Sequence, residues 1–194
     1  EDFNKISNEG LKTLWELKHN KKHLVNAKEL GCLLSHLKIL EIAKKRNYSK
    51  WLHLEDDVVF HKSIHSLFKR AMENVPNNWD MIYFGTTQAY WRENYNLEMV
   101  NKLIYKANFS FGTFAFAVSK TNIEFIIERL KLFNIPIDSI LISEVQNILN
   151  CYVLKYNIIV ARLNISSLRK PISNIQEEIK LFKKYNWNFN NFII

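Results

Sequence analysis

The stretch that constrains this chain most is WLHLEDDVVFH, residues 51–61, where an apolar run meets three consecutive carboxylates. The apolar residues on both sides predict a buried strand, so Glu55, Asp56 and Asp57 carry three negative charges where burial is expected. Carboxylates packed together without compensation repel one another, and each raises the pKa of its neighbours. The sequence therefore predicts that something compensates this charge.

Two arrangements satisfy that requirement. In an extended segment side chains alternate, so Glu55 and Asp57 share one face while Asp56 points to the other. Mg²⁺ or Mn²⁺, which prefer oxygen ligands, would remove the repulsion and could hold a diphosphate. The alternative is a strand that ends in a solvated acidic turn, with Asp57 capping the following helix. The metal or nucleotide site is favoured, because ligands of open α/β sheets bind at the carboxyl ends of strands.

Helical periodicity alternates along the chain with short apolar runs. This alternation predicts an α/β layered fold with a mainly parallel sheet. The predicted helices are 11–19, 28–45, 64–73, 121–133 and 139–149, and the predicted strands are 51–54, 79–85, 108–118 and 152–160. Residues 58–60 are either the continuation of the first strand or an adjoining turn.

Composition predicts one domain over residues 1–194. With 194 residues, of which 47% are hydrophobic, the chain can bury a core of its own. Only 4 Gly and 3 Pro are present, and no linker divides the sequence. Residues 166–194 are expected to form an irregular C-terminal extension.

Charge and cysteine content limit the classes of partner and the compartment that the sequence predicts. A net charge of +8 favours anionic partners, but the lysines are scattered and no arginine-rich stripe indicates a nucleic-acid surface. The C-terminal run KKYNWNFNNFII mixes cations with aromatic residues; it either contacts a membrane surface peripherally or packs on the core. Cys32 and Cys151 lie in apolar surroundings, which indicates free thiols and a reducing, cytoplasmic compartment.

Two segments together resemble the paired signature of a known family. ELGCLLSHLKIL at 29–40 and WLHLEDDVVF at 51–60 are similar to the Gly-Cys-x-x-Ser-His helix and Glu-Asp-Asp strand of glycosyltransferase family 25, which contains lipooligosaccharide and procollagen galactosyltransferases. Further on, WDMIYFG, GTFAFAVSK and PIDSIL resemble later segments of that family. The residues that carry the match are Gly31, Cys32, Ser35, His36, Glu55, Asp56 and Asp57.

The resemblance implies a GT-A type, Rossmann-like fold and an inverting transfer of a hexose, galactose or glucose, from a UDP-sugar. The acceptor would be a glycan, a lipid-linked sugar or a hydroxylated protein. Glu55 and Asp57 would hold Mn²⁺ or Mg²⁺, and Asp138 would be the base that takes the acceptor proton, so that Asp57 and Asp138 form the catalytic set. The implied donor-binding residues are Ser35, His36, Glu55, Asp56, Gly85, Gly112 and Thr113.

Several of these residues also have a structural interpretation. Asp138 could instead be the N-cap of a helix that begins at Asp138–Ser139. His36 could bind a ligand hydroxyl or the acidic motif, or it could be a structural histidine. Gly85 and Gly112 would let a ligand approach closely, or they mark a strand end or bulge.

A second class of function stays open, namely a catalytically silent binding or assembly module with the same fold. The family opens with a strand that reads like Val-Ile-Asn-Leu-x-Arg-Arg, and no counterpart is found here, which favours the silent module. The intact Glu-Asp-Asp disfavours it. A metal-dependent nuclease or phosphatase is less favoured, because no further Asp/Glu/His set at known spacing accompanies the carboxylates.

Overall fold

A computed structural model describes residues 27–87, 98–132, 135–162, 175–184 and 187–193. The predicted helix 11–19 lies outside these ranges. The helices are α1 (Ala27–Lys45), α2 (Ile64–Asn74), α3 (Ile123–Leu130), α4 (Ile137–Ile140) and α5 (Ile175–Lys184). A π-helical segment, Leu141–Gln146, continues α4. The strands are β1 (Lys50–Leu54), β2 (Val58–Phe60), β3 (Met81–Thr87), β4 (Ile104–Lys106), β5 (Phe111–Ser119), β6 (Cys151–Leu154) and β7 (Ile159–Ala161).

Five of the strands form one sheet in the order β1-β5-β3-β6-β4. Only β3 and β6 are parallel, whereas β1/β5, β3/β5 and β4/β6 are antiparallel. Strands β2 and β7 form a separate antiparallel pair. The mixed α/β class is confirmed and the mainly parallel sheet is wrong, because β5 lies between β1 and β3 and runs opposite to both. The GT-A type, Rossmann-like assignment stays a prediction.

The five-stranded sheet separates two apolar cores. Side chains alternate across it, so Met81 and Tyr83 of β3 face one core while Ile82 and Phe84 face the other. Helices α1, α3 and α4 cover the first face, and the β2–β7 pair with α2 covers the second. Because both faces of β3 are covered, all of its residues are buried.

Strand β1 occupies an edge of the sheet among the described strands. Its alternation buries His53, whereas Leu52 and Leu54 are 41% and 37% exposed. The prediction of a buried strand therefore holds for one face only. Helix α1 ends before Asn47, which has a left-handed φ of 57°, and the chain turns there into β1.

Two further predictions need correction, and one strand was missed. The single predicted strand 152–160 is two strands, β6 and β7, because the exposed Lys155 and Tyr156 interrupt it. Strand β4 has only three residues and was not predicted. The segment 166–194 is not irregular throughout, since it contains α5 and buries Trp187 and Phe192 in the second core.

Two simpler findings concern the cysteines and the membrane. Cys32 and Cys151 are both free, as predicted.

Within the described ranges, no helix combines the length and the apolar character needed to cross a bilayer.

Candidate functional site

Glu55 lies directly after β1, at the point where β1 leaves β5. Its backbone N–H donates to the carbonyl of Phe114 at 2.9 Å, which extends the β1–β5 pairing by one residue. Its carboxylate Oε1 accepts a 2.7 Å hydrogen bond from the Thr113 hydroxyl. Backbone and side chain of Glu55 are thus both fixed by neighbouring residues of β5.

Helix α1 supplies a second partner to the same oxygen. His36 Nε2 lies 3.3 Å from Glu55 Oε1, and the His36 side chain is only 4% exposed. An ionised carboxylate can only accept, so Nε2 is the nitrogen that carries a proton. Burial raises the pKa of Glu55, but the hydrogen bonds from His36 and Thr113 outweigh it and lower the pKa overall. Glu55 is therefore ionised at neutral pH.

His53 packs beside His36 on the same face of β1. The two rings lie 4.2 Å apart, and His53 is 4.9 Å from the Phe116 ring that faces it across the β1–β5 ladder. Burial, followed by the charge of His36, lowers the pKa of His53 to about 4, although Glu55 acts in the opposite direction. His53 is accordingly neutral at pH 7 and adds no charge to the site.

Cys32 lies one helical turn before His36. Ligand atoms of Cys32, His36 and Glu55 all fall within 4.8 Å of one another. Burial raises the pKa of the Cys32 thiol to about 12, and the charges of Glu55, Asp138 and Asp57 add to this effect. Asp57 and Asp138 are therefore near enough to the thiol, along with Glu55, for their negative charges to act on it.

The acidic residues after Glu55 lie in the turn between β1 and β2. Asp57 is half-buried and its backbone carbonyl accepts from Arg162 N–H at 2.7 Å, whereas Asp56 is exposed. Glu55 therefore lies closest to the His36 and Thr113 partners, while Asp56 faces solvent.

The remaining polar residues predicted for the site lie on helices. Ser35 is exposed, and its hydroxyl donates to the carbonyl of Gly31 in its own helix. Pro136 holds the N-cap position of α4, so Asp138 lies in the first turn, where its Oδ1 accepts from Ser139 N–H at 2.8 Å. The N-cap alternative for Asp138 is thus not what the structure shows.

For both predicted glycines, contacts or backbone conformation within the chain explain why glycine occupies the position. A Cβ on Gly85 would lie 2.0 Å from the carbonyl oxygen of Ile159, so β3 and β7 approach each other at this point. Gly112 has a φ of +92°, in the region that favours glycine, and precedes Thr113 directly. Gly112 therefore helps to aim the Thr113 hydroxyl at Glu55, and contact of either glycine with a donor stays a prediction.

A cavity of about 490 Å³ lies elsewhere, beside the second core. None of the residues predicted for the donor site lines it. Its lining comes from the start of α2, from the β6–β7 connection and from the C-terminal segment: His61, Ser63, Ser66, Leu67, Lys155, Tyr156, Asn157, Ile158, Trp187, Asn188, Asn191 and Phe192.

Comparison with known proteins agrees with the motif. The profile described as "Glycosyltransferase family 25 (LPS biosynthesis protein)" matches residues 1–141, well over half of the chain. The chain belongs to glycosyltransferase family 25. In this family member, the contact between His36 and Glu55 thus joins the Gly-Cys-x-x-Ser-His helix to the Glu-Asp-Asp strand, the two segments of the family signature.

Curated relatives are similar over the same part of this family 25 chain. "Inactive glycosyltransferase 25 family member 3" of Mus musculus is 33% identical over 100 residues, which is 50% of this chain and 17% of that protein. Its Homo sapiens counterpart is 34% identical over 93 residues, covering 46% and 16%. "Procollagen galactosyltransferase 2" of Mus musculus is 29% identical over 96 residues, covering 47% and 15%. The aligned segment is thus about a sixth of each relative.

Sequence reasoning missed the part that Cys32 and His53 take in this site. Two signals were available. Cys32 and His36 are four residues apart and therefore share a helix face. His53 and Glu55 are two residues apart in an extended segment and therefore share a strand face.

Proposed function

We propose that this chain is an inverting glycosyltransferase that transfers a hexose, galactose or glucose, from a UDP-sugar to a glycan, a lipid-linked sugar or a hydroxylated protein. The observation that carries the proposal is the ionised Glu55, which is oriented by His36 and Thr113 and is followed directly in the chain by Asp56 and Asp57. Family membership and the similarity to a protein named procollagen galactosyltransferase support the reaction class. Family membership also supports the expected GT-A type, Rossmann-like arrangement.

In the proposed reaction the carboxylates have two different roles, that of the base and that of metal ligands. An inverting displacement needs a base for the acceptor proton and positive charge near the departing diphosphate. We assign the base to Asp138, whose charge reaches the same neighbourhood as Glu55 and Asp57. Glu55 and Asp57 would hold Mn²⁺ or Mg²⁺, which when bound would neutralise charge on the diphosphate. The negative charges near Cys32 fit a cation there, although the Cys32 thiol and the His36 imidazole also lie close to Glu55.

The surface of α1 leaves room for a donor beside these groups. A Cβ on Gly31 would meet no atom within 4 Å, and Ser35 one turn further on is exposed. In the proposal a ligand passes over this turn of the helix, with Ser35 as a hydrogen-bonding partner. The free thiols of Cys32 and Cys151 support a reducing, cytoplasmic location for the reaction.

One observation favours the second candidate, a catalytically silent module. Glu55 Oε1 is already engaged by His36 and Thr113, which is also what a purely structural carboxylate would show. The mouse and human relatives named inactive add to this. Turnover by the purified chain decides between the two candidates.

The test is incubation with a panel of UDP-sugars and Mn²⁺, with donor hydrolysis and thermal shift as readouts. We expect turnover with at least one hexose donor. Asp57→Ala and Glu55→Gln should abolish metal-dependent donor binding, whereas Asp138→Asn should keep binding and lose transfer. Glu128→Gln, an exposed carboxylate on α3, is the matched control and should change neither.

Two outcomes contradict the proposal. Retained donor binding in both Asp57→Ala and Glu55→Gln would show that Glu55, Asp56 and Asp57 form only an acidic turn. Absence of turnover and of any thermal shift with the whole panel would identify a silent module. Circular dichroism of each variant separates loss of binding from loss of folding.

A further inference from the structure

Two side chains that commonly ligate metals, those of Cys32 and His36, lie close to Glu55, and neither offers an oxygen atom. Cys32 and His36 occupy positions i and i+4 of α1, so their side chains lie on the same face of the helix, opposite the end of β1. With Glu55 they bring one sulfur, one nitrogen and one oxygen ligand to within 4.8 Å of one another. This is the ligand mixture of zinc sites, whereas Mg²⁺ is bound by oxygen.

We propose that Cys32, His36 and Glu55 form a binding site for Zn²⁺ or a similar thiolate-accepting divalent cation, with a fourth position open to water or another ligand. The proposal shares Glu55 with the proposed donor site. It depends on Cys32 and His36 rather than on Asp57, so it stands or fails separately from sugar transfer.

The distances suit a tetrahedral ion. Zn–N and Zn–O bonds of roughly 2.0–2.1 Å place two tetrahedral ligands about 3.3–3.4 Å apart. His36 Nε2 and Glu55 Oε1 are 3.3 Å apart. A Zn–S bond of about 2.3 Å places the sulfur roughly 3.6 Å from each of them. Since the three ligand atoms lie within 4.8 Å of one another, each distance to the Cys32 sulfur has to shorten by roughly 1.2 Å or less.

Protonation changes also balance. The ion would occupy His36 Nε2, so the proton that remains on the ring would sit on Nδ1, a buried nitrogen without a hydrogen-bond partner in the described part of the chain. That switch breaks no other contact. The Cys32 thiol would lose its proton to solvent when its sulfur binds the ion.

Cobalt gives a readout independent of activity. Chelator-treated protein is titrated with Co²⁺, and the near-ultraviolet charge-transfer band of a cobalt–thiolate bond is recorded. We expect the band to saturate at one equivalent and to disappear when Zn²⁺ is added. Cys32→Ser should abolish the band, and His36→Gln should weaken Co²⁺ binding at least tenfold. Cys151→Ser, which alters the other free cysteine, is the matched control and should retain the band.

The outcomes are distinguishable from those of the transferase test. Asp57→Ala, which should lose donor binding, should keep the cobalt–thiolate band. Absence of the band in the unmodified chain, or an unchanged band in Cys32→Ser, would overturn the zinc site. Circular dichroism of Cys32→Ser and His36→Gln shows whether a lost band reflects the ligand or the fold.

Discussion

The Thr113 hydroxyl donates a 2.7 Å hydrogen bond to Glu55 Oε1, and this bond ties β5 to the residue that follows β1. Thr113 is buried, and the Glu55 side chain is 30% exposed. The carboxylate therefore depends on protein donors as well as on water.

Thr113→Val keeps the shape of the side chain and removes the donor. A hydrogen bond to a charged group contributes about 1.5–3 kcal/mol, so we expect a loss of that order in the free energy of unfolding at pH 7. Because folding lowers the pKa of Glu55, the difference should shrink as pH falls through that pKa. Urea unfolding at several pH values measures this, with Thr113→Ser as the variant that keeps the hydroxyl. Equal stability of Thr113→Val and the unmodified chain at pH 7 would contradict the role of the bond.

His53 should make the fold sensitive to mild acid. Its pKa falls from the ordinary 6.5 to about 4 on folding, so below pH 6.5 the unfolded chain binds a proton that the folded chain resists. Stability is therefore lost between pH 6.5 and 4, by about 2 kcal/mol from pH 7 to pH 5. His53→Phe should flatten this part of the profile, measured by urea unfolding in EDTA. His65→Gln, at an exposed position on α2, should leave the slope unchanged, and an equal slope in His53→Phe would exclude His53 as its source.

Two glycines should respond oppositely to the same substitution. Gly31→Ala meets no atom within 4 Å in the interior of α1, so it should stabilise the fold by roughly 0.5–1 kcal/mol. Gly85→Ala places a methyl group 2.0 Å from the Ile159 carbonyl oxygen and should cost about 3 kcal/mol or more. Thermal unfolding of both variants tests this. A tolerated Gly85→Ala would mean that β3 and β7 can separate without loss of the fold.

Gln146 should be among the most sensitive polar residues of the first core. Its Nε2 donates to the Tyr83 hydroxyl and to the Ser110 carbonyl, and its Oε1 accepts from Ser110 N–H. Gln146→Leu removes three buried hydrogen bonds and should cost about 3 kcal/mol, roughly three times the cost of Tyr83→Phe. Urea unfolding of the single and double variants forms a cycle. A strictly additive double variant would show that the Gln146–Tyr83 bond contributes nothing.

The elements were predictable where periodicity or alternation is strong. The bounds of helix α1 lie within one residue of the predicted bounds and those of strand β5 within three, because each element buries a regular series of apolar side chains. Strand direction was not predictable in this way, since a strand carries the same alternation whichever way it runs. The parallel β3–β6 pair and the antiparallel β3–β5 pair therefore look alike in sequence.

For the site, the resemblance drew attention to His36 and Glu55, and their side chains are in contact in the structure. Thr113 was expected to bind the donor, and in this structure it binds Glu55. A contact between residues 58 positions apart leaves no local periodicity from which it can be inferred. The electrostatic effect of Asp138 on Cys32 has the same long-range origin.

The central place of β6 limits what can be cut from this chain. The family match ends at residue 141, whereas β6, at Cys151–Leu154, lies between β3 and β4 in the sheet. A fragment trimmed to the matched residues would leave β3 with an open edge and β4 with no strand beside it in the sheet. The segment that matches the family is therefore shorter than the segment needed to complete the sheet. The ends of an expressed fragment should be chosen from the order of strands in the sheet rather than from the extent of sequence similarity.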